Sequence, residues 1–518
     1  MSVKKQKPQL MISAYQKAIL KKVSKIIFDN IFYKYKLKKM TSKELIIKES
    51  NHYDIKNFNK EYNYQKKKYN KYTKYFSKKL NSINKTNVDR TYWESIIEQV
   101  LQMHINHTRY VFNYLENTKI DKYKFNLLHR KSFFIPNDAN EYRNYFQYSY
   151  LGYEQLLSQY FINKNKYKSQ NKYINNKNFK LAISVNKEPR LTSLKTFNIY
   201  ELVLTIILKT TNLIAKKILR PKVLLLNVLF SKEKLLAIIL KSCGKIQHTA
   251  MFNLHTKNVK KNLVKRNSIF DDGPIDDEYD RFFFSTMNIS MPVSWYEGYN
   301  AKVRSINAIL DNYKKTKIIV SESTNENDVL LIAEAKKRGI KFYYNEHNFL
   351  QQFFAGNQLN NYTKKSDIFL SLGWQDKKYK NVIPIGSLYK WTVKNKSSQI
   401  KILFISSVCM AKKTFFAGDM GEMGSKAIRS YIKMNRTFFA NLDESLINKI
   451  CFRAHPHSIN INYEEHSMSD KDFLSDFIEK FDSYNTNLNI KSAELIAKAD
   501  LVIVNYLSTP WLQSLVSN

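Results

Sequence analysis

Four short segments carry residue types that could move a proton or hold a phosphate, and each follows an apolar run. Glu346-His347-Asn348 closes the run that begins at Lys341. A histidine takes a proton from a hydroxyl near neutral pH, and Glu346 could orient it or act as the base itself. Arg453-Ala454-His455-Pro456-His457 closes the run from Lys449. An arginine fork suits phosphate oxygens, His455 could donate to a phosphate or a leaving group, and Pro456 fixes the exit from the strand. Ser508-Thr509-Pro510 follows Leu501-Val502-Ile503-Val504 and reads as a helix start. A hydroxyl cap, an early proline and unpaired N–H groups together attract anions, although they also describe a plain capped helix. The fourth segment is Ser406-Ser407, followed by Gly418, Gly421 and Gly424. Those glycines either let backbone approach a ligand or form an ordinary loop. They match neither the dinucleotide fingerprint nor the glycine-rich loop of nucleoside triphosphatases.

Such groups work together only if strands deliver them to one edge, since open α/β sheets bind ligands at their carboxyl ends. After Pro292 the pattern alternates accordingly. Strands are expected over 317–321, 341–345, 367–372, 400–406, 449–454 and 501–504, and 383–389 leads into a linker near 390–398. A helix begins at Asn325 or Glu326, runs to Lys337 and ends at Gly339. Further helices fit 426–441, 474–481 and 494–498. Upstream, Ile96, Ile97, Val100, Leu101, Ile105, Tyr110 and Val111 form the apolar stripe of a helix from Trp93 to Leu115. Helical spacing also covers Ile12–Tyr33 and 140–161, and 192–266 reads mostly as helices rich in Leu and Ile. Residues 162–180 form a polar linker.

The 518 residues carry a formal charge of +41. Lysine, asparagine, isoleucine and tyrosine are abundant throughout and glycine is scarce, as a low-GC genome would produce, so most lysines read as solvated. No zinc-finger, RNA-recognition or helix-turn-helix signature accompanies them, and no specific nucleic-acid partner is expected. Cys243, Cys409 and Cys451 have neither metal-site nor disulfide-framework spacing. No metal is expected; His104 and His107 read as packing residues, and Asp271–Asp280 as a solvated acidic loop. The N-terminus lacks a secretory pattern, and Lys232, Glu233 and Lys234 interrupt the most apolar stretch, Val223–Leu240. The expected location is cytoplasmic, with peripheral contact at the inner membrane.

Arg453-Ala454-His455-Pro456 and Asp500…Ser508-Thr509 resemble a pattern in CDP-glycerol glycerophosphotransferases and, more loosely, bacterial polysialyltransferases. Arg90-Thr91-Tyr92-Trp93, Pro292…Glu297, Ala333-Glu334…Gly339-Ile340-Lys341, Glu346-His347-Asn348 and Ser366-Asp367…Gly373-Trp374 resemble bacterial surface-carbohydrate transferases of the GT-B-like type, which serve lipopolysaccharide and capsule. The resemblance implies an α/β fold of two Rossmann-like domains with a helical N-terminal extension. The divisions expected are a helical basic region over 1–180, an acceptor domain with helical insertions over 181–392, and an incomplete nucleotide-donor domain over 393–518. It implies a glycosyltransferase-like enzyme that moves a glycosyl or polyol-phosphate group from a nucleotide-sugar or CDP-polyol donor to a glycan or glycolipid acceptor, with no cofactor beyond the donor. His347 and Glu346 would be catalytic. Arg453, His455, Ser508 and Thr509 would bind the donor phosphates, and Ser406, Ser407, Gly424 and Gln513 would be further donor contacts. Gln-His-Gly-Gly is more familiar than Glu346-His347-Asn348, and a glutamate often stands where Gln513 does. With the end at Asn518, these departures imply a truncated or impaired member. A basic, non-catalytic scaffold at the cell envelope is the alternative.

Overall fold

The computed structural model describes residues 9–11, 25–28, 44–47, 55–118, 123, 125, 127–146, 150–166, 199–214, 220–228, 230, 232–249, 259–270, 273–322, 325–346, 359–386, 399–407, 409–410, 424–455, 467–468, 470–487, 490–505 and 509–517. Strands β1 (Gln9–Met11), β2 (Lys25–Phe28) and β3 (Glu44–Ile47) pair in parallel in the order β1-β2-β3. The helix expected over Ile12–Tyr33 is therefore interrupted by a strand, whose Lys-Ile-Ile-Phe sequence is rich in β-formers.

Four helices follow: α1 (Ile55–Asn84), α2 (Arg90–Glu116), α3 (Ala139–Phe146) and α4 (Tyr150–Asn163). The expected stripe of α2 is buried throughout. His104 is buried too, with Nδ1 on the Tyr142 hydroxyl (2.8 Å) and Nε2 on Thr286 Oγ1 (2.7 Å). Burial holds its pKa well below the usual value, as suits a neutral packing residue.

Next come α5 (Ile199–Ile214), β4 (Val223–Leu226), α6 (Lys232–Lys241), β5 (Ile246–Thr249) and α7 (Leu263–Phe270). Strands β4 and β5 correct the helical reading of 192–266. Leucine favours helices intrinsically, but Pro221 stops a helix from running in, and a four-residue apolar run suits a buried parallel strand. Then follow α8 (Glu278–Ser290), α9 (Tyr299–Asp311), β6 (Ile318–Ser321), α10 (Glu326–Lys337), β7 (Lys341–Asn345), α11 (Leu359–Lys365), β8 (Ile368–Ser371) and β9 (Val382–Pro384). The first sheet is parallel, in the order β5-β4-β6-β7-β8-β9.

One hydrophobic core runs from Tyr69 on α1 to Val382 on β9, so the N-terminal helices pack directly onto this sheet's layer. Polar braces cross it. The Tyr92 hydroxyl meets that of Tyr299 (2.7 Å) and donates to Glu334 (2.5 Å), while Trp93 Nε1 donates to Asn81 (2.9 Å). Several residues that carried the upstream resemblance are thus braces within the core. The acidic run is corrected as well. Asp277 caps α8, and buried Asp280 accepts from Lys68 (2.6 Å), Lys71 (2.7 Å) and the Tyr72 hydroxyl. Burial alone would raise the Asp280 pKa, but these bonds outweigh it and bring it down to about 2. Its stabilisation is present above the unfolded carboxylate range near 4 and is lost as pH falls through about 2. Asp280→Ala should cost about 3 kcal/mol in urea unfolding at pH 7, because Lys68 loses a partner inside the protein; a change below about 0.5 kcal/mol, the range of an ordinary surface substitution, would contradict this.

The second lobe contains β10 (Ile400–Ile405), β11 (Cys409–Met410), α12 (Gly424–Ala440), α13 (Glu444–Ile447), β12 (Ile450–Arg453), β13 (Ser467–Met468), α14 (Ser475–Ile478), β14 (Ser483–Asn485), α15 (Ser492–Ile496), β15 (Ala499–Val504) and α16 (Thr509–Ser517). Its main sheet is parallel, in the order β14-β12-β10-β15, and β11 pairs antiparallel with β13. The chain therefore has two parallel-sheet cores flanked by helices, the two Rossmann-like domains of a GT-B-like fold, with a helical N-terminal region.

Candidate functional site

In the second lobe the chain starts at β10, steps outward to β12 and β14, then returns to β10's other flank as β15. Strand order therefore reverses between β10 and β15, and the crevice beyond the carboxyl ends of those two strands is where such sheets take ligands. Ile405 pairs with Val504 there, so Ser406-Ser407 and Asn505 leave the sheet side by side. Helix α16 begins at Thr509, a few residues beyond β15, with Pro510 in its first turn.

A hydrogen-bond cluster fixes this edge. Ser406 Oγ donates to Asp470 Oδ1 (2.6 Å) and lies 3.2 Å from the Tyr431 hydroxyl. That hydroxyl accepts from Ser407 N (3.2 Å) and from Asn505 Nδ2 (3.0 Å), which also reaches Asn435 Oδ1 (3.0 Å). Asp470 Oδ2 and Asn505 Oδ1 are buried and have no hydrogen-bond partner among the described residues. Burial pushes the Asp470 carboxyl up to about 7, against the lowering effect of the Ser406 bond. Between pH 4 and 7 the folded state holds a proton that the unfolded state has lost, so stability declines as pH rises across that window. Asp470→Asn keeps an acceptor for Ser406 and removes the decline. At pH 8 its melting temperature should exceed that of the unchanged protein, by the equivalent of about 1–2 kcal/mol, with the gap closing by pH 4. A variant less stable at pH 8 than at pH 4, relative to the unchanged protein, would contradict this.

Arg453 ends β12 beside β10, but its side chain turns toward β14. One terminal nitrogen donates to Asn485 Oδ1 (2.9 Å) and Asn487 O (2.7 Å), the other to Ile490 O (2.9 Å). The guanidinium is buried, and its terminal nitrogens make three bonds within the protein, whereas Nε has no hydrogen-bond partner among the described residues. His455 follows two residues later, half-buried. Gly424 opens α12, and half-buried Gln513 lies one turn into α16. Ser508 falls outside the described residues, as do His347 and the glycines Gly418 and Gly421.

At the first sheet the order reverses between β4 and β6. Asn227, with φ +48, follows β4 and donates to Asp328 on α10. Asn345 at the end of β7 donates to Glu322 after β6 (2.6 Å). Glu346 comes next and is fully buried. Its Oε2 accepts from Leu372 N (2.8 Å) and Trp374 Nε1 (2.7 Å), whereas Oε1 has no partner among the described residues. Burial pushes this carboxyl up to about 7, and those two bonds oppose the rise. Glu346 therefore ties the loop after β8 to the point where the chain passes on to His347.

Sequence reasoning missed Tyr431, Asn435, Asp470, Glu322 and Asp328. Asn505 carried a signal, since it directly follows an apolar run, although the strand expected to be buried there is the sheet's edge, with Leu501 exposed; Asp470 carried none. The described residues contain no group of three His, Cys, Asp or Glu side chains placed to hold a metal ion, and none of their helices is long and apolar enough to cross a membrane.

No curated protein and no solved structure matches the chain. A family model described as LIC12162 family transferase matches residues 9–518, which takes in both sheets and the helices before them. With a Rossmann-like strand reversal in each lobe and polar side chains gathered at both, the chain belongs to the LIC12162 family of transferases.

Proposed function

We propose that the protein transfers a glycosyl or polyol-phosphate group from a nucleotide-activated donor to a glycan or glycolipid acceptor on the cytoplasmic side of the inner membrane, with peripheral contact to that membrane. The observation that carries this reading is the reversal between β10 and β15, where Ser406, Ser407, Asn505 and the start of α16 share one sheet edge. The first-turn N–H groups of α16, with Ser508 and Thr509, receive the donor phosphates. Ser407 and Gln513 contact the rest of the donor, and Gly424 lets the α12 backbone approach it. Ser406 is held by Asp470 and sets the floor. Arg453 acts as a positioning residue that fixes the chain leading to His455, and His455 meets the leaving phosphate.

His347 takes the proton of the acceptor hydroxyl as its oxygen bonds to the sugar carbon, or to the phosphorus of a polyol-phosphate donor. The bond from that atom to the nucleotide phosphate oxygen breaks, and the nucleotide leaves with the electron pair. N–H groups and cationic side chains stabilise that charge. Glu346 positions His347 rather than reacting, because its Oε2 is already committed to Leu372 and Trp374.

Thermal melting with UDP, CMP, CDP and GDP compounds tests the donor site. At a hundredfold excess over Kd, one nucleotide class should stabilise the protein by about 2.7 kcal/mol. The charge of +41 favours a second reading, a basic non-catalytic scaffold. That reading gains if every nucleotide fails to shift the melt while polyanions bind in a salt-sensitive way.

A further inference from the structure

Helix α5 is apolar on two separate faces. Leu204 and Leu208 are buried, the latter with Leu225, Val228, Leu235 and Ile239. On the other face Val203, Ile206, Ile207 and Ile214 fall on one stripe at helical spacing, with 45%, 52%, 38% and 47% of their surfaces exposed. Leu240, at the end of neighbouring α6, is 61% exposed. A soluble helix ordinarily turns charged or polar residues to solvent on this side.

The surroundings are basic. Lys241 closes α6, and the turn after it leads to Lys245, whose carbonyl accepts from Lys222 N (2.9 Å) at the amino end of β4. Arg220, Lys222, Lys241 and Lys245 are all exposed. Residues 199–249 contain nine Lys and Arg against two Glu. A helix lying flat with an apolar stripe and a rim of cations matches the surface of a bilayer containing anionic lipid. A second copy of the chain is the poorer occupant, since it would bring a like-charged rim against this one.

We propose that α5, together with Leu240 of α6, docks the protein on an anionic lipid surface. The inference rests on the reading of a membrane-borne acceptor, and vesicle binding tests it apart from turnover or nucleotide binding. The full chain is sedimented with phosphatidylcholine vesicles, with and without phosphatidylglycerol. It should bind the anionic vesicles, and added salt should weaken that binding. The double variant Ile206→Asp, Ile214→Asp should bind at least about tenfold more weakly, because two side chains lose their burial in the acyl boundary. Both positions are exposed, so its melting temperature and nucleotide-induced shift should match those of the unchanged protein. Absence of vesicle binding, equal binding to uncharged vesicles, or full binding by the double variant would each overturn the proposal. So would a dimer of the unchanged protein that the double variant dissolves while vesicle binding stays the same.

Discussion

Alanine at His347 should lower turnover by about 10²–10⁴ while the nucleotide-induced rise in melting temperature stays intact. The histidine follows directly after Glu346 at the carboxyl end of β7, and the donor phosphates are assigned to the other lobe. Removing the base should therefore leave donor affinity alone. Glu346→Gln is the companion variant. A glutamine oxygen can still accept from Leu372 N and Trp374 Nε1, and its amide replaces the oxygen that has no described partner. Turnover of that variant should stay within about tenfold of the original, well short of the loss expected for a missing general base. Loss of nucleotide binding with turnover preserved in His347→Ala would remove the base assignment. A drop of about 10² or more in Glu346→Gln, at unchanged stability, would move the base to the carboxylate.

Arg453→Ala should unfold the second lobe under conditions where the unchanged protein is stable, at a cost of about 3–5 kcal/mol. Three bonds from one buried guanidinium hold Asn485, Asn487 and Ile490 to the end of β12. Truncation removes all three bonds and opens a cavity beneath them, although Asn485 Oδ1 still accepts from Asn487 N (3.0 Å). Arg453→Lys should recover little, because a single ammonium cannot reproduce a planar fork across separate acceptors. Urea unfolding followed by a probe in the second lobe gives the number. Unchanged unfolding together with lost nucleotide binding would instead make Arg453 a direct phosphate ligand. For this reason Arg453→Ala alone is a poor probe of donor binding.

The second half of the chain was legible because its strands are short apolar runs closed by polar residues. That pattern placed Glu346 at the end of β7, Ser406 beyond β10, Arg453 at the end of β12 and Thr509 at the start of α16. It fixes where the backbone emerges but not where a long side chain turns. Arg453 lies at the expected strand end, yet its terminal nitrogens turn to the neighbouring strand's exit while Nε has no partner among the described residues. Asp470 and Tyr431 reach Ser406 from 64 and 25 residues away along the chain, across helix and loop that no local spacing could anticipate. In the first lobe, leucine-rich β4 could not be told from a helix by composition. Its parallel partners β5 and β6 decide the matter, and those contacts are long-range.

The donor site between β10 and β15 is tested most directly by hydrogen–deuterium exchange on the full chain, with and without the nucleotide that shifts its melt. The expected result is slowed exchange in peptides containing Ser406-Ser407 and Asn505–Thr509, with the α1–α4 helices unchanged. Protection confined to other regions, or none at either segment with nucleotide at saturation, would contradict it.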